Sequence, residues 1–221
     1  MRIAVLADIH GNLPALEAVL AEAQADLYVL NGDMVDGPFP RETLALLESL
    51  PHTLWIRGNG DRAPGEWAAA QLSADQRSRL AALPLTATLD HLQLGRLGFC
   101  HASARRDDEA LLVDAPLDHL APALAGLDAP TVFLGHTHMP FDRLADRRRL
   151  INSGAVGMPY GHTGAAWAML DAQIVLRRTA YDTRVAALRI GQSGMPEAAA
   201  FLQSYVLNTP CDRAALAAFS R

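Results

Sequence analysis

Short apolar runs alternate with amphipathic stretches along the first third of the chain. The runs cover residues 2–7, 27–30 and 53–57. Each run ends in polar residues, which is typical of buried strands. After the first run, Asn12 is placed to cap a helix whose Leu16 and Leu20 share one face, and a second helix is predicted over 41–50. These strand–helix units predict right-handed crossovers and a parallel sheet.

The second half of the chain has more closely spaced strand-like runs, which favours an antiparallel or mixed second sheet. Strands are predicted over residues 86–89, 97–100, 131–134, 149–152, 165–170 and 174–178. Helices are predicted over residues 67–83, 117–125 and from 182 onward. The hydrophilic residues 142–149 are interpreted as a turn, and residues 171–173 as a hairpin turn.

Composition indicates a globular chain and excludes several classes of protein. With 221 residues, 50% of them hydrophobic and 19% charged, we expect one domain over 1–221, with peripheral helices from about residue 182. A net charge of −5 argues against binding to nucleic acids or anionic membranes. Cys100 and Cys211 suggest no disulfide framework, and no signal peptide or membrane span is recognisable. We therefore expect a cytoplasmic protein.

Ligand-type side chains follow five of the predicted strands. They are Asp8, His10, Asp33, Asn59, His101, His136 and His138. Because loops at the carboxyl ends of parallel strands gather at one sheet edge, we expect these side chains to lie close together. Oxygen donors mixed with imidazoles suit Mn, Fe or Zn better than Ca. Seven ligands exceed one tetrahedral zinc site but fit two metals that share a carboxylate.

Each of these residues taken alone has an ordinary explanation. Asp33 and Asn59 are common turn residues at strand ends, and a single Asp-x-His sequence carries little information. His136 and His138 are more specific, because they flank one Thr directly after a buried strand and a Gly. The combination is stronger than its parts, since chance would have to place ligand types at five separate strand ends.

The ordered motifs resemble those of the calcineurin-like metallophosphoesterases, especially their small bacterial and archaeal members. The motifs are Asp8-x-His10, Gly32-Asp33-x-x-Asp36, Gly58-Asn59-x-Asp61, the strand-end His101 and Gly135-His136-x-His138. The loop at 152–157 is also similar, and the resemblance runs from residue 1 to about 171. It implies an α/β fold, a four-layer α/β/β/α sandwich with two mixed β-sheets flanked by helices.

The resemblance also implies a ligand set. One metal would be held by Asp8, His10, Asp33 and His138, and the other by the bridging Asp33 with Asn59, His101 and His136. Asp36 and Asp61 would orient these ligands. Asp33, His10 and Asn59 are the catalytic residues expected on this basis. The implied cofactors are two divalent metal ions, with Mn²⁺ expected and Fe, Zn, Ni or Co as alternatives.

Two features depart from the family's pattern. Gly60 stands where well-studied phosphatases of the family carry His, which is thought to assist the leaving group, so we expect a preference for diesters or anhydrides over alkyl monoesters. At residues 159–164, small relatives often have an acidic stretch that contains an Arg, and this chain has neither. The role of His162 in this segment stays open. Arg62 and Arg105, next to the motifs, are predicted to bind substrate phosphate.

The sequence thus predicts a phosphoesterase with a two-metal mechanism and a metal-bridging hydroxide. We expect the protein to be a phosphodiesterase or phosphatase whose substrates are small molecules such as nucleotides. A protein Ser/Thr phosphatase is the alternative within the enzyme class, and a DNA nuclease is disfavoured by the acidic charge. A non-catalytic metal-binding scaffold is the alternative from another class. The oligomeric state and the physiological substrate are left open.

Overall fold

Two five-stranded sheets form the centre of the protein in a computed structural model that describes residues 1–220. Across the first sheet the strands are β10 (Ile174–Thr179), β9 (Ala165–Leu170), β1 (Ile3–Leu6), β2 (Leu27–Asn31) and β3 (Thr53–Ile56). Strands β1, β2 and β3 are parallel, and β9 and β10 run antiparallel to their neighbours. The predicted parallel sheet is therefore present, with an antiparallel hairpin added at one edge.

The second sheet is also mixed. Across it the strands are β4 (Thr86–His91), β5 (Gly95–Cys100), β6 (Thr131–Leu134), β8 (Arg148–Asn152) and β7 (Phe141–Ala145). Strands β5, β6 and β8 are parallel, whereas β4 and β7 are antiparallel edge strands. The carboxyl ends of β5 and β6 consequently lie at the same edge of this sheet.

The two sheets pack face to face through an apolar core. Phe99 and Phe133 stack there with ring centroids 5.3 Å apart, beside the fully buried Val5 and Ile151. Burial of side chains of this size stabilises the fold by about 1.5–3 kcal/mol each. Because strand residues alternate between faces, the buried Cys100 points away from this core, to the opposite side of its sheet.

Helices cover the outer face of each sheet. Helices α1 (Leu13–Glu22) and α2 (Pro40–Glu48) pack on the first sheet, and α6 (Leu117–Ala123) packs on the second. Asn12 caps α1, since its Oδ1 accepts from the backbone N–H of Ala15 at 3.3 Å. The result is a four-layer α/β/β/α sandwich, which confirms the predicted fold class.

The remaining helices are short and lie at the periphery or near the sheet edges. They are α3 (Asn59–Arg62), α4 (Glu66–Gln71), α5 (Ala74–Ala81), α7 (Thr183–Gly191), α8 (Ala198–Phe201) and α9 (Asp212–Phe219). A π-helical turn over Leu202–Val206 follows α8. Within residues 1–220, no helix is both long and apolar enough to cross a membrane.

Two predictions of local structure were wrong. The single helix expected over 67–83 is broken at Leu72, which is extended, and Ser73 then caps α5 by accepting from the N–H of Gln76. Most of the turn expected over 142–149 is strand β7 and the start of β8, with left-handed backbone at Asp146 and Arg147 only. Strand β7 is an edge strand whose alternate side chains, Asp142 and Leu144, face solvent, so its pattern lacks a continuous apolar run.

Candidate metal centre

Five strand ends bring the seven ligand-type residues together. Asp8 and His10 follow β1, Asp33 follows β2, Asn59 begins α3 after β3, His101 follows β5, and His136 and His138 follow β6. Two sets have ligand atoms within 4.8 Å of one another, namely Asp8, His10 and His138, and Asp33, His101 and His136. The two sheets thus contribute to one shared site at their common edge.

Unusual backbone conformation is concentrated at this site. Seven non-glycine residues within 1–220 have left-handed φ angles, and five of them are ligand-type residues. The five are Asp8 (53°), His10 (46°), Asp33 (55°), His136 (64°) and His138 (57°). Left-handed backbone costs a non-glycine residue about 1–3 kcal/mol. Such strain persists where surrounding structure enforces it and is common at functional sites.

Asp33 lies between the two sets of ligand-type residues. Its Oδ2 is 3.6 Å from Nε2 of His10 and 3.5 Å from Nε2 of His101. Its Oδ1 faces the other way and accepts from the backbone N–H of Gly60 at 2.7 Å. One carboxylate oxygen therefore faces both sets while the other is anchored to the protein.

In the first set, Asp8, His10 and His138, the ligand atoms that face the site lie close to one another. Nε2 of His10 and Nε2 of His138 are 3.3 Å apart, and Nε2 of His138 is 3.2 Å from Oδ1 of Asp8. Metal–ligand bonds of about 2.0–2.2 Å at roughly 90–109° separate neighbouring ligand atoms by about 2.8–3.6 Å. These spacings therefore suit a common cation.

Backbone carbonyls orient three of the imidazoles from behind. Nδ1 of His10 donates to Asp36 O at 3.2 Å, Nδ1 of His101 to Asn31 O at 2.8 Å, and Nδ1 of His138 to Met158 O at 2.8 Å. Each bond leaves Nε2 facing the site, as second hydrogen bonds of metal-ligating imidazoles do. Nε2 of His101 is buried without a hydrogen-bond partner, so the protein alone leaves it unsatisfied.

Asn59 contacts the second set through His136. Its side-chain amide lies 3.0 Å from Nδ1 of His136, and with the nitrogen on that side it donates there and to Asp107 O at 3.2 Å. The opposite orientation turns the amide oxygen toward Nδ1 of His136, and two acceptor atoms then face each other. A cation between them would stabilise that second orientation.

Asp61 and Asp36 bond to the backbone around the site. The buried Asp61 accepts from the N–H groups of Asp33 (2.7 Å), Met34 (3.0 Å) and Gly58 (2.9 Å). It thereby holds the loop after β2 against the start of α3. Asp36 accepts from the N–H of Gly65 at 3.1 Å.

Ion pairing dominates the electrostatics of the site. Burial disfavours charge on His101, but the carboxylates of Asp33 and Asp8 outweigh burial and raise its pKa to about 10. Burial opposes ionisation of Asp33 as well, yet the nearby imidazole of His101 holds its pKa below the ordinary range. Burial and the charge of His101 lower the pKa of His136 to about 4. The carboxylates of Asp33 and Asp8 thus stabilise positive charge on His101, at the centre of the site.

The arginines near the motifs are largely engaged by carboxylates. Arg62 Nε donates to both oxygens of the buried Asp107, at 3.1 and 2.9 Å, and Arg57 Nε donates to the same group at 3.0 Å. Arg105 pairs with Glu109. Sequence reasoning did not single out Asp107, because it lies within a run of charged residues, 105–109, that is typical of an exposed loop.

A cleft of about 590 Å³ opens beside His136, between the loop over 106–119 and the end of α9. Arg106 lines this cleft, and its Nε donates to Asp108 at 2.8 Å. The Phe219 ring lies 5.4 Å from that of His136 and 6.0 Å from that of His138. The sequence placed the C-terminal helices at the periphery and gave no signal that α9 contacts the site, because the contact spans some eighty residues of chain.

His162 is exposed on another loop, where its carbonyl accepts from Arg178.

Comparisons with known proteins agree with this geometry. The chain is 28% identical to the phosphodiesterase YfcE of Escherichia coli K12, over 79% of this chain and 90% of that protein. It is 27% identical to an uncharacterized protein of Methanocaldococcus jannaschii, over 88% of this chain and 94% of the relative. The crystal structure of a metallophosphoesterase from Sphaerobacter thermophilus matches with a TM-score of 0.75 and 26% identity, over 91% of this chain and 97% of that one.

The family assignment follows from the matched region. The family model described as the calcineurin-like phosphoesterase superfamily domain matches residues 1–174, from β1 to the start of β10. That region contains every ligand-type residue of the site, whereas α7, α8 and α9 lie beyond it. The chain belongs to the calcineurin-like phosphoesterase superfamily.

Proposed function

We propose that the protein is a metal-dependent phosphoesterase that holds two divalent ions and hydrolyses small phosphate esters. The observation that carries this proposal is the position of Asp33 Oδ2, which faces His10 Nε2 at 3.6 Å and His101 Nε2 at 3.5 Å. A carboxylate oxygen that faces two ligand sets is suited to a site that would hold two ions. The family and the similarity to a phosphodiesterase support the class of reaction.

The donor set fits divalent transition metals. Asp8, His10 and His138 would hold one ion, and His101 and His136 the other. Asp33 would serve both ions, and Asn59 would join the second through its position beside His136. Imidazole nitrogens combined with carboxylate and amide oxygens suit Mn²⁺, with Fe, Zn, Ni or Co as alternatives. The unsatisfied Nε2 of His101 supports this fit, because a metal would give that buried nitrogen its missing partner.

The chain's own residues would position the reacting groups. Two ions bound there would supply positive charge that polarises the phosphoryl group and makes water more acidic. Asp33 would fix their spacing, and Asn59 would turn its amide oxygen toward the second set. His10 would act as a ligand through Nε2, because its Nδ1 donates to Asp36 O at 3.2 Å. Asp61 would hold Asp33 in place against the start of α3 by accepting hydrogen bonds from the N–H groups of Asp33 and Gly58.

The proposed substrates are small phosphodiesters or activated esters, including nucleotides. A basic alkoxide leaving group benefits from a positioned acid, worth about 10²–10⁴-fold in rate, and Gly60 supplies none. Arg62, with a side chain 43% exposed, is proposed to contact substrate phosphate while Asp107 holds its Nε. Arg105 is proposed for the same role, although its guanidinium pairs with Glu109.

A hydrolysis assay tests this function. Protein stripped with EDTA is expected to be inactive on bis-p-nitrophenyl phosphate and to regain activity with Mn²⁺. Asp33→Asn is expected to lower kcat by at least about 10³-fold, because the amide is a weak substitute for a bridging carboxylate. The exposed Asp128 gives a matched control, and Asp128→Asn should leave kcat unchanged. Near wild-type turnover by Asp33→Asn, or turnover that survives EDTA, would contradict the proposal.

A further inference from the structure

The C-terminal helix α9 forms part of the wall around the candidate metal centre. Its Ala215 is fully buried, and Leu216 and Phe219 pack with Met139 and Tyr160. The backbone N–H of Gly161 donates to Pro210 O at 2.8 Å, which ties the segment before α9 to the loop that carries Tyr160. This helix lies outside residues 1–174, the region that the family model matches.

Phe219 is placed between the ligand-type histidines and open space. Its ring contacts His136 and His138 edge-on or tilted, and the side chain is partly exposed toward the cleft beside His136. A substrate whose phosphoryl group lies at the metal ligands would therefore extend its organic group past this ring. The cleft volume of about 590 Å³ is within the roughly 300–1,000 Å³ typical of small-molecule sites.

The opposite wall of the cleft is polar, and its acidic side chains, Asp108, Glu109 and Asp114, outnumber its one arginine, Arg106. Arg106 pairs with Asp108 at 2.8 Å, and His119 lies 3.2 Å from Glu109. With its cations engaged by carboxylates, this wall offers little attraction to a second phosphate. It offers carboxylate oxygens to hydroxyl or amino groups, while Phe219 offers an aromatic surface. An uncharged aromatic group with hydrogen-bond donors fits both walls.

We propose that this cleft binds the organic group of the phosphate ester and that Phe219 determines a preference for planar aromatic groups, such as aryl rings or nucleosides. This inference rests on the proposed function. Aromatic rings gain attraction from offset or edge-to-face packing beyond the burial of their area. Phe219 would therefore favour aromatic over aliphatic esters that carry the same phosphoryl group.

Calorimetric binding of two phosphonates to the Mn²⁺-loaded protein tests this preference without turnover. Phenylphosphonate and methylphosphonate share the head group and differ in the ring. The wild type is expected to bind phenylphosphonate more tightly, and Phe219→Leu should weaken that binding about tenfold while leaving methylphosphonate unchanged. Phe219→Tyr retains the ring and should retain the preference. Melting temperatures of both variants establish that α9 stays folded onto the protein.

The possible outcomes separate this inference from the proposed function. Equal effects of Phe219→Leu on the two phosphonates, no effect on either, or tighter binding of both would overturn the role of Phe219 and leave the metal site standing. If the Mn²⁺-loaded wild type binds neither phosphonate and hydrolyses no ester, the proposed function itself fails.

Discussion

The backbone N–H of Gly60 donates a hydrogen bond to Oδ1 of Asp33 at 2.7 Å. The bond fixes the carboxylate so that its other oxygen faces the ligand-type histidines. A Cβ atom at position 60 would lie 3.1 Å from the same Oδ1 and 3.3 Å from Cβ of Asp36. A side chain at this position would therefore begin against Asp33 and Asp36, beside the candidate metal centre, rather than in open solvent.

Gly60→His is expected to change the balance between monoester and diester hydrolysis. An imidazole there could protonate a basic leaving group, so kcat/KM for an alkyl monoester should rise at least about tenfold relative to kcat/KM for a matched diester. Gly60→Ala is the control, because it adds the same crowded Cβ without an acid. A wild type that already prefers alkyl monoesters, with no shift in Gly60→His, would contradict this account of Gly60.

Stability without metal should fall at alkaline pH. In the folded, metal-free protein the pKa of His101 is about 10, above its ordinary 6.5, because Asp33 and Asp8 overcome the effect of burial. The stabilisation from this charged imidazole is fully present below pH 6.5 and is lost as pH rises through about 10. We expect the melting temperature in EDTA to decrease between pH 7 and 10. His101→Gln should flatten that decrease.

The affinity for Mn²⁺ should increase with pH, whereas the stability of the metal-free protein should decrease. A ligating imidazole must lose its proton, so Mn²⁺ competes with the proton on His101 and binds more tightly as pH rises. Between pH 6 and 9 the apparent affinity is expected to increase by up to about tenfold per pH unit for one displaced proton. Titration calorimetry in buffers of different ionisation enthalpy measures the released proton directly. An affinity independent of pH over this range would show that no such proton is displaced.

Asp107 is expected to matter more for stability than its exposed neighbour. It is 5% exposed and accepts from both Arg57 and Arg62, so Asp107→Ala would leave two partly buried guanidinium groups without their partner. We expect the free energy of unfolding to fall by about 2–3 kcal/mol in urea denaturation, less than for a fully buried pair because both arginines reach solvent. Asp108→Ala removes a carboxylate from a more exposed pair and should cost less than about 1 kcal/mol. Equal losses in the two variants would contradict the central role of Asp107.

The sequence predicted those parts of the fold that depend on local pattern. Buried strands such as β1 and β6 have continuous apolar runs, and the polar residues after them are conspicuous, so the fold class and the ligand-type residues could be inferred together. Strand β7 was missed because an edge strand needs few apolar residues, and its Asp142 and Arg143 look like turn residues. Local pattern does not specify which neighbouring arginine lines a cleft, nor that Phe219 reaches His136 from a distant helix.

The metal content of the purified protein tests the central claim most directly. After dialysis against excess Mn²⁺ and removal of unbound ion, the wild type is expected to contain two Mn²⁺ per chain. Electron paramagnetic resonance should show magnetic coupling between ions about 3.5–4 Å apart. Asp33→Asn should lose that coupling. One ion or none per chain at saturation, or two uncoupled ions in the wild type, would contradict a metal pair bridged by Asp33.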